Sequence, residues 1–300
     1  MEKIVKSLIF FTTFLCTHLL AQPTSGFQEK LEEEMKTLAH IQIPELKTDS
    51  SFQAKGNLKR SYIFAETGQK MPYRLYVPSA YKPGKTPLVI VLHGGGGSEN
   101  SLVENNNKIS LLLAEKYGFI VLSPLGFSPL GAYGTPLRLP AVFGKPEEQA
   151  KQKTAFATDT TRQKLLALSE KEVLTALEIV MQEYQPDPKN IFLAGHSMGS
   201  GGTWYLGAKY ADKWKAIAPM SGPFIDESTY PWSNLKTTPI FMSEGTGATP
   251  SLESSRLLYN YLKKAHFNIQ YKEVEANHGE MTSLIFPSVF DFFNKQLHNR

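Results

Sequence analysis

Residues 190–204 read NIFLAGHSMGSGGTW, and Ser197 stands in the middle between Gly195 and Gly199. A strand-like apolar run, 191–194, leads in, and a glycine-rich helical run leads out. A serine at such a junction has the makings of a nucleophile. A sharp strand-to-helix turn pushes the hydroxyl out toward a substrate and requires small neighbours on either side. It also sets the Met198 N–H at a helix N-terminus, where it can stabilise negative charge. A phosphate-cradling loop is the competing use of so many glycines, but neither G-x-x-x-x-G-K-[ST] nor G-x-G-x-x-G is present.

A serine hydroxyl attacks poorly until a base takes its proton, and histidine is the usual base. Three histidines follow Ser197. His266 sits in or at the end of a helical stretch and His298 in the C-terminal tail. His278 lies in EANHGEM, straight after the last strand-like run, and is the expected base. His196 is expected to pack or hydrogen-bond locally. A second backbone donor for the oxyanion is expected in LHGGGG, where glycine lets amides approach a carbonyl oxygen closely. Gly94 or Gly95 fits, and Gly95 is paired here with Met198.

These residues need a scaffold that brings them to one edge. RSYIFAET and MPYRLYVP read as a hairpin of strands. TPLVIVL, FIVLSP, NIFLAG, KAIAPM and TPIFMS read as buried strands, alternating with helical stretches such as KISLLLAEKYG, LLALSEKEVLTALEIVMQEY and SLESSRLLYNYLKKAHF. NIQYKEVE and FPSVFDFFNKQL close the series. This alternation predicts an α/β fold, a mostly parallel sheet flanked by helices on both faces with an antiparallel hairpin at its start. Ligands bind such sheets beyond the carboxyl ends of the strands, where His93–Gly97, Ser197 and His278 all fall.

Residues 125–160, rich in Gly, Pro and Lys, read as a loop insertion that shapes a pocket, or alternatively as a disordered insertion. Tyr133, Phe143 and Trp204 are its candidate aromatic lining, though a place in the helix core is the favoured reading for Trp204. Residues 22–57 read as an N-terminal helical segment and linker, with apolar positions at Phe27, Leu31, Met35, Leu38 and Ile41.

Residues 1–21 read as a signal peptide: Lys3 and Lys6, then an apolar stretch too short to span a membrane, then small Ala21 before a cut. A buried N-terminal helix is the competing reading. The one cysteine, Cys16, leaves with the leader, so no disulfide or cysteine metal site is expected in the exported protein. The 300 residues carry a net charge of +4 without a dense basic cluster, which argues against nucleic acid as a partner. No second long apolar run occurs, so no stable membrane insertion is expected, and the oligomeric state is left open.

PYRLYVPSAYKPGKTPLVIVLHGGGGS, AEKYGFIVLSP, NIFLAGHSMGSGGTWYLGAKYADKWKAIAPMSG and NHGE resemble the secreted esterase branch of the α/β-hydrolase superfamily. That branch holds feruloyl and acetylxylan esterases, polyhydroxybutyrate depolymerases and prolyl-oligopeptidase-like peptidases, and the resemblance covers most of 58–300. It implies hydrolysis of a small-molecule or polymer-linked ester through an acyl-enzyme on Ser197, with His278 as base and no cofactor or metal. It also implies an acid between them in chain order. Here the sequence departs: EGTGATPSLESS carries Ala248 where the family's aspartate belongs, and no Asp occurs between Asp226 and Asp291. Asp226 is the first candidate for the acid, with Glu227, Glu244, Glu253 or no acid at all as alternatives. Glu280 is too near His278 in sequence for the usual geometry. The missing aspartate keeps two other functions open, a peptidase on the same scaffold and a binding protein that has lost turnover.

Overall fold

The computed structural model describes residues 24–137, 159–247, 249 and 251–297. The expected leader 1–21 with Cys16 and Ala21, most of the 125–160 loop with Phe143, and the positions Ala248 and His298 lie outside the described residues.

Eight strands form one sheet in the order β1-β2-β4-β3-β5-β6-β7-β8. β1 (Gly56–Phe64) and β2 (Gln69–Val77) make the antiparallel hairpin, turned at Gly68 with φ 70°. β2 is also antiparallel to β4 (Ile120–Pro124). Every later pairing is parallel, through β3 (Leu88–Leu92), β5 (Ile191–His196), β6 (Ala216–Met220), β7 (Ile240–Gly245) and β8 (Ile269–Val274). This is the expected mostly parallel sheet.

β3 to β7 are buried along their whole length. Strands covered on both faces need apolar residues at every position, which is why they read as unbroken apolar runs. Alternation sorts those residues into two cores. Leu88, Ile90 and Leu92 face one, with residues of α3 (Thr160–Tyr184), α4 (Met198–Lys209) and α5 (Leu252–Lys264). Val89 and Val91 face the other, with α1 (Phe27–Leu38), α2 (Ser101–Tyr117) and α6 (Met281–Leu297).

Local chemistry sets the helix ends. α2 stops at Gly118, φ 73°, whose amide bonds the Ala114 and Glu115 carbonyls. α3 starts at Asp159, whose side chain accepts the Arg162 amide at 3.0 Å. α1 buries Phe27, Leu31 and Leu38 in the same core as α2 and α6; each such side chain contributes about 1.5–3 kcal/mol. The sequence pattern starts the last helix at Phe286, with Pro287 in its first turn. The structure starts α6 at Met281 and carries Pro287 inside it. The cause is a polar cap at Asn277 that outweighs the proline signal.

Candidate active site

The carboxyl ends of β3, β5, β6 and β7 bring four segments together, and the loop after β8 adds a fifth. Ser197 follows β5 with φ 56° and ψ −116°, a conformation that L residues rarely hold. The glycines around it are required by contact. A Cβ on Gly195 would lie 2.2 Å from the Gly199 carbonyl oxygen, and one on Gly199 would lie 2.1 Å from that of Leu92. Three backbone bonds hold the turn: Ser197 N–H donates to Met220 O at 2.9 Å, and the Ser200 and Gly201 amides donate to Ser197 O at 2.8 and 3.2 Å. The expected small flanks are therefore where β3, β5 and α4 meet backbone to backbone.

His278 reaches this turn. Its Nε2 lies 2.9 Å from Ser197 Oγ. The loop that carries it is fixed by reciprocal bonds. Asn277 Oδ1 accepts the amides of Gly279 and Glu280, both at 3.0 Å, and Glu280 Oε2 accepts the Asn277 amide at 3.1 Å. This N-x-x-E pair is a capping box at the entry to α6. The same Glu280 oxygen accepts Thr24 Oγ1 at 3.0 Å, which ties the N-terminal segment to the loop. Glu280 Oε2 is engaged by the Asn277 amide and Thr24 rather than by the His278 ring, and through Asn277 it holds the histidine's backbone.

His196 adds a second restraint. Its Nε2–H donates to the His278 carbonyl at 2.7 Å, and the two rings stand 4.7 Å apart. Burial lowers the His196 pKa to about 4. It therefore stays neutral, and a charged neighbour would oppose the imidazolium of His278. Burial, with His196 next, also pushes the His278 pKa well below its ordinary value.

The far side of the His278 ring differs from expectation. Nδ1 lies 2.7 Å from Ser221 Oγ, not against a carboxylate. Ser221 follows β6 in a left-handed conformation, φ 64°, and its amide donates to Ser243 O at 2.8 Å. Asp226 is not the ring's partner. Its Oδ1 turns back to accept the Ser228 hydroxyl at 2.6 Å and the Ser228 amide at 3.3 Å in a local turn. Glu227 is exposed in the same loop, and Glu253 is exposed in the first turn of α5.

Glu244, near the end of β7, is fully buried. Its Oε2 accepts the hydroxyls of Ser255 at 2.6 Å and Ser251 at 3.0 Å, and its Oε1 is buried without a hydrogen-bond partner. Burial raises its pKa, while the Ser255, Ser221 and Ser251 hydroxyls and the Gly245 amide pull it back toward the charged form. Ser221 Oγ and Ser251 Oγ are 3.5 Å apart. The serines are not legible as site residues in the sequence, since no spacing rule marks a hydroxyl as a histidine's partner.

The glycine turn after β3 supplies the other wall. Gly96 N–H donates to Pro129 O at 2.9 Å and Gly97 N–H to Gly94 O at 3.1 Å. Gly95 N–H and Met198 N–H have no backbone acceptor among the described residues. Gly94 backs onto the nucleophile's turn, where a Cβ on it would lie 3.4 Å from Ser197 Cβ. Tyr133 does not line an acyl pocket as expected. It is fully buried, and its hydroxyl donates to His93 O at 3.0 Å, bracing the glycine turn. Trp204 is also fully buried, in the helix core. Residues 125–137 are pinned to α3: Glu172 Oε2 accepts the Gly126 amide at 2.8 Å, and Ser169 Oγ donates to Gly126 O at 2.6 Å. Burial raises the Glu172 pKa to about 7. Among the described residues, no group of three His, Cys, Asp or Glu is placed to hold a metal ion, and no helix is long and apolar enough to cross a membrane.

Sheet order, strand-to-helix turn and histidine loop together define the class of fold, the α/β-hydrolase fold. The chain belongs to the esterase family whose model, described as "Putative esterase", matches residues 65–260. It is similar to the bifunctional acetylxylan esterase/xylanase XynS20E of Neocallimastix patriciarum, with 26% identity over 181 residues. That match covers 60% of this chain and 22% of the relative, so the chain spans under a quarter of that protein's length. Among solved structures it resembles a thermostable esterase at 22% identity and TM-score 0.56, covering 80% of this chain and 62% of that one. It also resembles the ferulic acid esterase AmCE1/Fae1A of Anaeromyces mucronatus at 17% identity and TM-score 0.54, covering 84% and 95%. These likenesses show the fold.

Proposed function

We propose that this protein hydrolyses carboxylic esters through an acyl-enzyme on Ser197. The observation that carries the reading is the 2.9 Å contact between Ser197 Oγ and His278 Nε2, made in a turn with φ 56° at the carboxyl edge of the sheet. For Oγ to be activated, Nε2 accepts its proton, so Nδ1 carries the ring's own proton and donates to Ser221 Oγ. Ser197 Oγ attacks the ester carbonyl as His278 takes its proton. The amides of Gly95 and Met198 hold the oxyanion, the latter with the α4 dipole behind it. The C–O bond then breaks, the alcohol leaves with the proton from His278, and the acyl group stays on Ser197. Water attacks this ester with His278 again as base, and the acid and free Ser197 are released.

The relatives' names, an acetylxylan esterase and a ferulic acid esterase, make acetylated xylan and esters of ferulic acid the first natural substrates to assay. The basic start and short apolar stretch of residues 1–21 support export with cleavage near Ala21. N-terminal sequencing of secreted material checks this: a chain beginning at Gln22 supports it, and a retained Met1 in the mature protein contradicts it.

Activity is tested with a p-nitrophenyl ester and the matching p-nitroanilide. The expected result is ester turnover that vanishes in Ser197→Ala, with the anilide cleaved far more slowly. Equal ester turnover in Ser197→Ala would sink the reading, and preferential anilide cleavage would make the protein a peptidase.

A further inference from the structure

The His278 ring donates to a neutral hydroxyl where a serine hydrolase ordinarily places a carboxylate. The hydroxyl does not end the chain of contacts. One contact runs from Ser221 Oγ to Ser251 Oγ at 3.5 Å and from there to Glu244 Oε2 at 3.0 Å, and the Ser221 hydroxyl also acts on the Glu244 carboxylate directly. Ser221, Ser251 and Glu244 are all buried. They come from three places at the same sheet edge: the end of β6, the residue before α5, and β7.

We propose that Glu244 is the remote acid of this site, a positioning residue that acts on His278 through the Ser221 and Ser251 hydroxyls. The inference rests on the serine-hydrolase reading above. Its physical basis is the direction of the protons. With Nε2 accepting from Ser197, Nδ1–H donates to Ser221 Oγ. The Ser221 hydroxyl is then free to point toward Ser251, and the Ser251 hydroxyl donates to Glu244. Every dipole in the series turns its negative end toward the ring and its positive end toward the carboxylate. Chains of this kind polarise one another in a low-dielectric interior. They favour the imidazolium that forms when Ser197 gives up its proton, and they hold the ring in the tautomer that accepts it. Ser255 anchors the same carboxylate oxygen from α5 and fixes its position. Oε1 of Glu244 is buried without a geometric hydrogen-bond partner, so this carboxylate has capacity left for the Ser221 hydroxyl that already acts on it.

The test compares full-length wild type, Ser197→Ala, Glu244→Gln and Ser251→Ala on one p-nitrophenyl ester across acidic to neutral pH, with thermal melts for each. Glu244→Gln is expected to lower kcat by about 10- to 100-fold with KM unchanged, less than the about 10⁴-fold loss from a triad acid in direct contact. It also moves the acid limb of kcat/KM to lower pH, because losing the carboxylate disfavours the imidazolium. Ser251→Ala moves both readouts in the same direction by a smaller factor, and it decides the matter if the glutamine variant does not fold. The titratable groups facing the relay are His196 from β5 and Tyr271 and Glu273 from β8, with Glu273 paired to Arg256 of α5. All are unchanged in these variants. If Glu244→Gln and Ser251→Ala keep the wild-type kcat and pH limb, or lose only thermal stability, the relay is overturned and the Ser197–His278 reading stands. If wild type shows no Ser197-dependent turnover, both fall.

Discussion

On its Nε2 side the His278 ring meets Ser197, held by a glycine turn so tight that a single Cβ would strike a backbone oxygen at 2.1 or 2.2 Å. On its Nδ1 side it meets Ser221, and behind that a series of hydroxyls whose links run from 2.6 to 3.5 Å. The first side is set by backbone contacts that admit one residue type. The second is set by side-chain hydroxyls that other polar groups could imitate. The contrast shows where this scaffold tolerates change. The nucleophile's turn is part of the junction between β3, β5 and α4, whereas the partner of the histidine's other nitrogen can be rebuilt without disturbing the sheet.

Substitutions on the two sides should therefore fail in different ways. The largest effect is expected from Gly199→Ala. Its methyl has no room beside Leu92 O, and overpacking there is expected to destabilise the fold by about 3 kcal/mol or more, read as a lowered urea midpoint. A variant as stable as wild type would mean that the junction gives way easily.

The buried histidine behind the turn should show itself in the pH dependence of stability. The His196 pKa falls from 6.5 to about 4 on folding. The unfolded chain thus binds the proton more readily, and stability is fully present above the unfolded value and is lost as pH falls from about 6.5 toward 4. The limit is about 3 kcal/mol. Urea denaturation across that range should give a shallower slope in His196→Gln than in wild type. Equal slopes would mean that His196 does not titrate as a buried neutral group.

On the other side, Ser221→Ala should still fold and lose activity. The buried Nδ1–H is left without its partner, so kcat is expected to drop by about 10- to 100-fold with little change in KM, alongside a stability loss of about 1–3 kcal/mol. A loss confined to stability would erase the contrast between the two sides. The smallest effect is expected from Asp226→Asn. That carboxylate serves a surface turn with Ser228, so kcat/KM should stay within about twofold and stability within about 0.5 kcal/mol. A large fall in kcat would return Asp226 to the site.

The same contrast explains what can be read from the chain alone. Ser197 is legible because its turn imposes glycines at fixed spacing, and the strands are legible because double-sided burial forces unbroken apolar runs. His278 is legible from its place after the last strand. Asp226 misleads because a carboxylate following β6 has the right chain position, yet Ser228 two residues on offers it a closer partner. Ser221 carries no signal of its own; only the folded edge reveals that its left-handed backbone turns the hydroxyl to Nδ1. Glu280 hides its role for a related reason. Its place just after His278 is wrong for a direct partner to the ring, but three residues is the right spacing for a capping box with Asn277.

The central claim is that Ser197 is a nucleophile activated by His278. It is tested most directly by reacting the protein with a fluorophosphonate and locating the adduct by peptide mass spectrometry. The predicted result is one adduct, on Ser197, formed rapidly in wild type, far more slowly in His278→Ala and not at all in Ser197→Ala. No adduct on Ser197 in the folded wild type, or the same labelling rate without His278, would contradict it.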